Sequence, residues 1–380
     1  MEFEKLGNIA TVKTGKYDVN HSTPDGAYVF YTCAFGQFKS PTYSFEGPAI
    51  ILPGNGANVG EVFFYNGKFE AYQRTYVVQN FKADPNYIYA YFKSQWKNSL
   101  RNKQFGSATN YIRLNNLTDF TIPIPPLPDQ LHIANLLSKA ENLIAQRKES
   151  IRLLDEFLKS TFLEMFGDPV RNEKGWEVKI FEEFTERITK GESPKWQGFD
   201  YLESGVRFIT SENVLWGSVD LQKAKFIHED FHKKLKRSQL KANDLLVNLV
   251  GASVGRSSLC PKEALPANIN QAVAAITLNR ELINEVYVMH LFINPSFQRF
   301  LLGNVVEAAR ANLSLSDLRN LKFPVPPIEL QTQFAQIVEK TEALKTQYQQ
   351  SLQELENLYG SLSQKAFRGE LTSKQNSANP

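Results

Sequence analysis

Histidines, glycines and prolines at suggestive spacings are the first places to look for chemistry in this chain. His228-Glu229-Asp230-Phe231-His232 matches H-E-x-x-H, which on a buried helix offers two imidazoles to zinc and a glutamate to water. Lys233, Lys234, Lys236 and Arg237 follow at once, and Phe226-Ile227 before it reads as a strand. The expectation here is a polar loop feeding the next strand. Asn294-Pro295-Ser296-Phe297 touches the N-P-P-F/Y pattern with which amino-methyltransferases hold a flipped base. Its second proline is missing, and no glycine-rich S-adenosylmethionine loop precedes it. Gly54-Asn55-Gly56-Ala57-Asn58-Val59-Gly60 has the glycines of a phosphate cradle but no helix after it, so a turn is expected. Thr14-Gly15-Lys16-Tyr17 lacks the upstream glycine and trailing Ser/Thr of a P-loop. The chain is therefore expected to carry no catalytic, cofactor-binding or metal-ligating residues of its own.

Residues suited to nucleic acid are more plentiful. Arg74, Lys93, Arg101, Lys103, Asn110 and Tyr111 gather in the first third. Lys190, Lys195, Trp196, Lys233, Lys236, Arg237, Arg256, Asn270, Gln271 and Arg310 are candidates further on. Arg and Lys suit phosphates and guanine edges, and Asn and Gln suit adenine edges. For each one, a solvated surface residue is about as good a reading as a contact.

The elements that must position these residues are written twice. Pro123-Ile124-Pro125-Pro126-Leu127 returns as Pro324-Val325-Pro326-Pro327-Ile328. At the same offset Gln130 meets Gln331, Ala134 meets Ala335, Leu154 meets Leu355 and Phe166 meets Phe367, with no gap. A repeat in register over this length organises the chain. Each copy predicts one long helix, since proline is excluded from helix interiors and marks the start. In the first copy Leu137, Ile144, Ile151 and Leu158 recur every seven residues, with Leu154 on the companion row. The second keeps Val338, Leu352, Leu355, Tyr359 and Leu362 on those rows. Such heptads predict a coiled-coil seam.

Between the helices lie two globular segments. The first, 1–122, has β-type runs at Tyr28-Val29-Phe30-Tyr31, Ala49-Ile50-Ile51-Leu52, Val62-Phe63-Phe64-Tyr65 and Tyr76-Val77-Val78. The second, 169–323, has them at Arg207-Phe208-Ile209, Asp244-Leu245-Leu246-Val247 and Ala272-Val273-Ala274-Ala275-Ile276. Each opens on a helix-like turn closed by a glycine, Gly15 or Gly191. Each later holds a helical run, from Tyr87 to Arg101 and from Glu285 to Leu302. Gly56–Gly60 and Gly251–Gly255 occupy corresponding places. The organisation is domain 1–122, helix 123–168, domain 169–323, helix 324–370 and a tail, 371–380, expected to be disordered. The fold class is α+β: two similar mixed domains alternating with two long antiparallel coiled-coil helices, pseudo-twofold symmetric.

Composition sets the surroundings. The chain has 380 residues, 42% hydrophobic and 22% charged, with a net charge of +3. Residues 1–126 carry 12 Lys and Arg against 9 Asp and Glu, and 169–327 carry 21 against 18. The helical stretches 127–168 and 328–380 carry 5 against 7 and 5 against 6. Positive balance on the globular parts suits a polyanion there and protein partners on the helices. No apolar stretch is long enough to span a membrane. Cys33 and Cys260, alone and far apart, suit a reducing, cytoplasmic setting.

Two diverged domains alternating with like-sequence helices, each headed by Pro-x-Pro-Pro-hydrophobic and a downstream Gln, resemble the specificity subunit of type I restriction–modification enzymes. The Asn243-Asp244-Leu245-Leu246-Val247 strand supports the likeness. So does Leu313-Ser314-Leu315-Ser316-Asp317-Leu318 before the second proline cluster, with its counterpart Ile112-Arg113-Leu114-Asn115-Asn116-Leu117. The resemblance covers nearly the whole chain. It implies that each globular domain reads one half of a bipartite, asymmetric site on double-stranded DNA, while the helices set the spacing and dock methyltransferase subunits, two of them expected. S-adenosylmethionine, ATP and Mg would belong to those partners and to motor/endonuclease subunits. The short tandem repeat that some members carry after the first helix is absent. A specificity module of another phage-defence assembly and a coiled-coil scaffold without DNA remain open alternatives.

Overall fold

The structure, a computed structural model, describes residues 2–36, 38–100, 110–303 and 312–372. Chain contacts divide it into two compact units, Met1–Glu149 with Gln349–Pro380, and Ser150–Tyr348. The units cut across the linear segments, because each long helix gives one part of its length to each unit.

Unit 1 begins with β1 (Glu2–Lys5), α1 (Leu6–Ile9) and β2 (Thr11–Thr14), and continues with β3 (Tyr28–Tyr31), β4 (Phe38–Ser40), β5 (Phe45–Pro53), β6 (Phe63–Ala71) and β7 (Thr75–Gln79). Then come α2 (Pro85–Ser99), α3 (Leu114–Thr118), β8 (Thr121–Ile124) and the first long helix, α4 (Leu127–Phe166). The main sheet runs β2-β7-β5-β6-β3-β4, antiparallel except for β3 beside β6. Ile50, Leu52 and Val78 from the sheet meet Tyr87, Phe92 and Trp96 of α2, with Ile133 and Leu137 of α4 and Phe367 closing the core.

Unit 2 repeats the plan. It contains β9 (Glu177–Ile180), β10 (Thr185–Lys190), β11 (Val206–Ile209), β12 (Lys225–Ile227), α5 (Glu229–Lys234), β13 (Leu245–Asn248), β14 (Ser257–Leu259), β15 (Ala267–Ile269) and β16 (Val273–Leu278). After them come α6 (Glu285–Ile293), α7 (Pro295–Gly303), α8 (Leu315–Arg319), β17 (Lys322–Val325) and α9 (Ile328–Arg368). Its strands pair β10-β16-β13-β14 and β12-β11-β15, with β11 parallel to β15. The order matches unit 1 once β14 and β15 together stand for β6. Pro261 and Pro266 lie between β14 and β15, and a proline brings no N–H to a ladder, so the strand that is continuous in unit 1 is broken here.

Several sequence expectations change. The proline clusters close strands before the helices open: Pro123 pairs with Phe3 across β8–β1, and Pro324 with Val178 across β17–β9. Both are two-stranded edges, where a missing donor is tolerated. The run from Glu285 to Leu302 is two helices, since Asn294 is extended before Pro295 and caps α7 by accepting from the Ser296 and Phe297 amides. Gly15 and Gly191 end strands β2 and β10 and do not close the helix-like turns. A Cβ on either would lie 1.6 Å from a carbonyl oxygen, that of Ala71 or Ile269.

The repeated glutamine now has a physical reason. Gln130 Oε1 accepts from the Asp84 amide at 2.8 Å and its Nε2 donates to Pro125 O at 2.7 Å. Gln331 does the same with the Asn284 amide and Pro326 O, at 2.9 and 2.7 Å. Asp84 and Asn284 are the N-caps of α2 and α6. The Tyr87 and Tyr287 hydroxyls donate to Pro123 O and Pro324 O, each at 2.7 Å. Each junction thus ties a proline-rich strand to the helix behind it through buried polar groups.

The two junctions differ in filling. In unit 2 His290 stands edge-on to Phe334 at 5.0 Å, and burial, then Lys345, pushes its pKa down to about 4. Unit 1 has Ala90 and Ile133 at these places, leaving a groove of about 380 Å3 between α2 and α4.

Within unit 1 the long helices meet where Tyr359 donates to Glu141 at 2.6 Å and Lys148 pairs with Glu356 at 2.8 Å. Within unit 2 Lys345 pairs with Asp155 at 2.5 Å, and Phe162 and Phe166 pack on Phe334. Of the expected seam, Leu137, Leu158 and Val338 are buried, while Ile144, Ile151, Leu154, Leu352, Leu355, Tyr359 and Leu362 are half-buried. Two helices alone cover a heptad row from one side only, so burial is completed where a globular core also covers it.

Gln130→Ala and Gln331→Ala should each lower stability by about 2–3 kcal/mol, since two hydrogen bonds are lost and their buried partners stay unsatisfied. Chemical denaturation of the single variants checks this, and a surface substitution such as Gln333→Ala should leave the midpoint unchanged.

Candidate nucleic-acid interface

In unit 1 a surface pocket of about 310 Å3 opens between the ends of β2, β5 and β7. Thr14, Asn55, Gln73, Arg74, Tyr76 and Tyr111 line it. The Gly54 amide donates to Arg74 O at 2.9 Å, the Ile112 amide to Gly54 O at 3.0 Å, and Asn55 bridges to Tyr111. Gly56 and Gly60 hold φ of 88° and 104°, so the Gly-rich stretch is a turn, as its lack of a following helix suggested. Arg74 and Tyr111 therefore come together, and Asn110 beside them accepts from Gly56 N through its carbonyl at 2.8 Å. Arg74 is exposed and its guanidinium makes no hydrogen bond or ion pair among the described residues. Lys93 lies elsewhere: it pairs with Glu141 of α4 at 2.7 Å, which ties it to the helix junction and away from the pocket. Arg101 and Lys103 fall outside the described residues.

In unit 2 the basic residues gather around a second opening, about 430 Å3, lined by Glu192, Gln197 and residues 233–237. Trp196 is 77% exposed on the short turn Lys195–Gln197. Lys233 pairs with Glu229, Arg237 with Glu192, and Lys234 donates to Gln197. Lys236 is exposed with no opposite charge against it among the described residues, and Lys190 is exposed at the end of β10. Asn270 is half-buried and uses its Oδ1 to accept from the Ala272 amide, which makes it part of the frame. Gln271 and Arg256 are half-buried. Arg310 falls outside the described residues.

Two residues that hold this region were not singled out from sequence. Arg187 donates to the carbonyls of Arg237 and Gln239, at 3.1 and 2.8 Å, and to Thr277 Oγ1. Its Nη2 lies 2.6 Å from Asp244 Oδ2, and the Asp244 side chain is fully buried. Asp244 also accepts from Thr277 Oγ1 at 2.6 Å and the Lys241 amide at 2.8 Å. A buried carboxylate satisfied on three sides anchors the guanidinium, and the guanidinium anchors the basic loop. Burial, then the Asp244 charge, pushes the neighbouring Cys260 thiol up to about 12, so it stays protonated. The only sequence signal was the Asn-Asp opening of an apolar strand.

The zinc-like motif resolves into capping. His228 precedes α5 and its Nδ1 accepts from the Asp230 amide at 3.1 Å. The polar loop expected here is a short helix, because Asp and Glu fill its first turn and Lys its last. Among the described residues, no three His, Cys, Asp or Glu side chains cluster as metal ligands, and no helix is long and apolar enough to cross a membrane.

The chain belongs to the family described as the type I restriction modification DNA specificity domain, which matches residues 1–153 and again 173–357. It is 28% identical to the type I restriction enzyme EcoBI specificity subunit of Escherichia coli over 291 residues, covering 70% of this chain and 61% of that protein. It is 23% identical to the EcoDI specificity subunit of the same organism over 429 aligned positions, covering 99% and 90%. Among solved structures, the type I restriction–modification S subunit from M. genitalium shares the fold, with a TM-score of 0.63, 17% identity and 96% coverage of both chains.

Asp244→Ala should cost unit 2 about 3–5 kcal/mol, since it leaves Arg187 as a largely buried, unpaired charge. Thermal unfolding checks the loss. Amide exchange should rise at residues 236–239 in the variant and stay unchanged around β5 and β7 of unit 1.

Proposed function

We propose that this chain is the non-catalytic DNA-specificity subunit of a type I restriction–modification complex. Its two globular parts, 1–122 and 169–323, each read one half of a bipartite, asymmetric site on double-stranded DNA. The observation that carries this reading is one strand order used twice within a family of DNA specificity domains, with unlike side chains on the surface openings of the two copies. Two different readers joined by helices that fix their separation suit a non-palindromic site.

The helices act as spacer and docking surface. Leu143 and Leu344 are equivalent positions of the repeat, as are Phe157 and Leu358, and all four are exposed. Unit 1 carries Leu143 and Leu358, at the level where Tyr359 meets Glu141. Unit 2 carries Phe157 and Leu344, at the level where Lys345 meets Asp155. Like apolar pairs on each unit suit two copies of one modification subunit, which would bring S-adenosylmethionine. Motor/endonuclease subunits would bring ATP and Mg.

Methylome sequencing of a host expressing the chain with its modification subunit should give a two-part methylated motif. Exchanging residues 1–122 for those of a relative should change one half only. Absence of chain-dependent methylation would overturn the reading.

The paired exchange Leu143→Asp with Leu358→Asp removes exposed groups only, so folding should hold. Native mass spectrometry should then find one modification subunit per chain in place of two. An unchanged count would remove these side chains from the docking surface.

A further inference from the structure

Much of the backbone that frames the unit 1 pocket recurs in unit 2. Gly15 against Ala71 O corresponds to Gly191 against Ile269 O. Gly54 N to Arg74 O corresponds to Leu249 N to Ala272 O, at 2.9 and 2.8 Å. Ile112 N to Gly54 O corresponds to Leu313 N to Leu249 O, at 3.0 and 2.7 Å, and Thr75 N to Tyr72 O corresponds to Val273 N to Asn270 O. The bridge from Asn55 to Tyr111 corresponds to the bridge from Val250 to Asn312.

These bonds confirm the pairing of the glycine and Ile112/Leu313 positions and extend it to residues at the start of β7 and β16 that the sequence pattern left unmatched. Thr14 corresponds to Lys190, Asn55 to Val250, Gln73 to Gln271, Arg74 to Ala272 and Tyr111 to Asn312. The frame is the same and one glutamine is kept. The side chains at the other four places differ in charge, size and hydrogen-bonding capacity.

We infer that this address is where each unit discriminates its base, with Arg74 reading a guanine in the half-site of unit 1 and the exposed, apolar Val250 meeting a thymine methyl in that of unit 2, where buried Ala272 replaces the arginine. The inference rests on the DNA-specificity reading above. Phosphates are the same on every sequence, so contacts to them gain nothing from differing between two readers on one frame. Base edges differ, and a guanidinium fork spans guanine O6 and N7 while small apolar groups fit the thymine methyl. Arg74 is suited to this because it is exposed and uncommitted among the described residues, while its own carbonyl is fixed by the Gly54 amide. Tyr76 beside it donates to Ile112 O at 3.3 Å and holds the pocket wall. Val250 is 39% exposed, an apolar side chain presented to solvent at the place where unit 1 has Asn55.

Selection from random DNA duplexes, with the assembled complex of the full chain and its modification subunits, tests this. The wild type should enrich a two-part motif containing a guanine in the half that follows residues 1–122. Arg74→Ala and Arg74→Lys should each relax that one position, roughly ten- to hundredfold, and leave the other half unchanged. Arg74→Lys keeps the charge and loses the fork, so its overall affinity should hold better than that of Arg74→Ala. Val250→Asn, which installs the unit 1 side chain at an exposed place, should alter one position in the second half only. A uniform loss of affinity across sequences with Arg74→Ala, accompanied by a salt slope about one unit shallower, would make Arg74 a phosphate contact and overturn the inference. An unchanged motif with Arg74→Ala overturns it alone, whereas no motif for the wild type overturns the DNA-specificity reading as well.

Discussion

Everything in this fold depends on satisfying backbone groups where a proline-rich strand turns into a long helix. The prolines supply no donors of their own, and the helix behind them begins with an amide that needs a partner. One glutamine side chain meets both demands, accepting from the N-cap amide of α2 or α6 and donating to a proline carbonyl. A buried tyrosine hydroxyl donates to the carbonyl of the first proline in the cluster. Unpaired polar groups at this depth are costly, which gives Pro-x-Pro-Pro and its downstream Gln a shared physical reason at both junctions.

From these junctions the two units build one sheet order with different outcomes at the surface. Unit 1 keeps β6 in one piece, whereas unit 2 breaks it at Pro261 and Pro266 and packs Ala264 and Leu265 of the inserted turn against its sheet. Unit 2 fills the space behind its junction with His290 and Phe334, and unit 1 leaves a groove there. The frame tolerates these changes because its own hydrogen bonds run through main-chain atoms and a few buried side chains. Surface side chains are then free to vary with the sequence to be read.

The basic loop of unit 2 shows how a surface feature is held by a buried one. Arg187 reaches from β10 to the carbonyls of Arg237 and Gln239, and Asp244 at the entry to β13 fixes Arg187. A charge pair with its remaining donors and acceptors satisfied gives the loop a defined position that exposed lysines alone could not. The position of such a loop depends on a carboxylate that never touches solvent.

The sequence by itself determined the architecture at the level of repeats. A register of 201 positions, the proline clusters and the 3.5-residue apolar period of the helices are local or self-referring signals, and each is legible without coordinates. The principal strands at Tyr28–Tyr31, Arg207–Ile209 and Val273–Ile276 were likewise carried by branched and aromatic runs. Only the tertiary structure decided that Pro123 and Pro324 belong to strands, because that depends on pairing with residues 120 or more positions away in unit 1 and over 140 in unit 2. Only it could equate Arg74 with Ala272, or join Arg187 to Asp244. Those relations arise from hydrogen bonds between distant segments, and a single sequence encodes no distance between them.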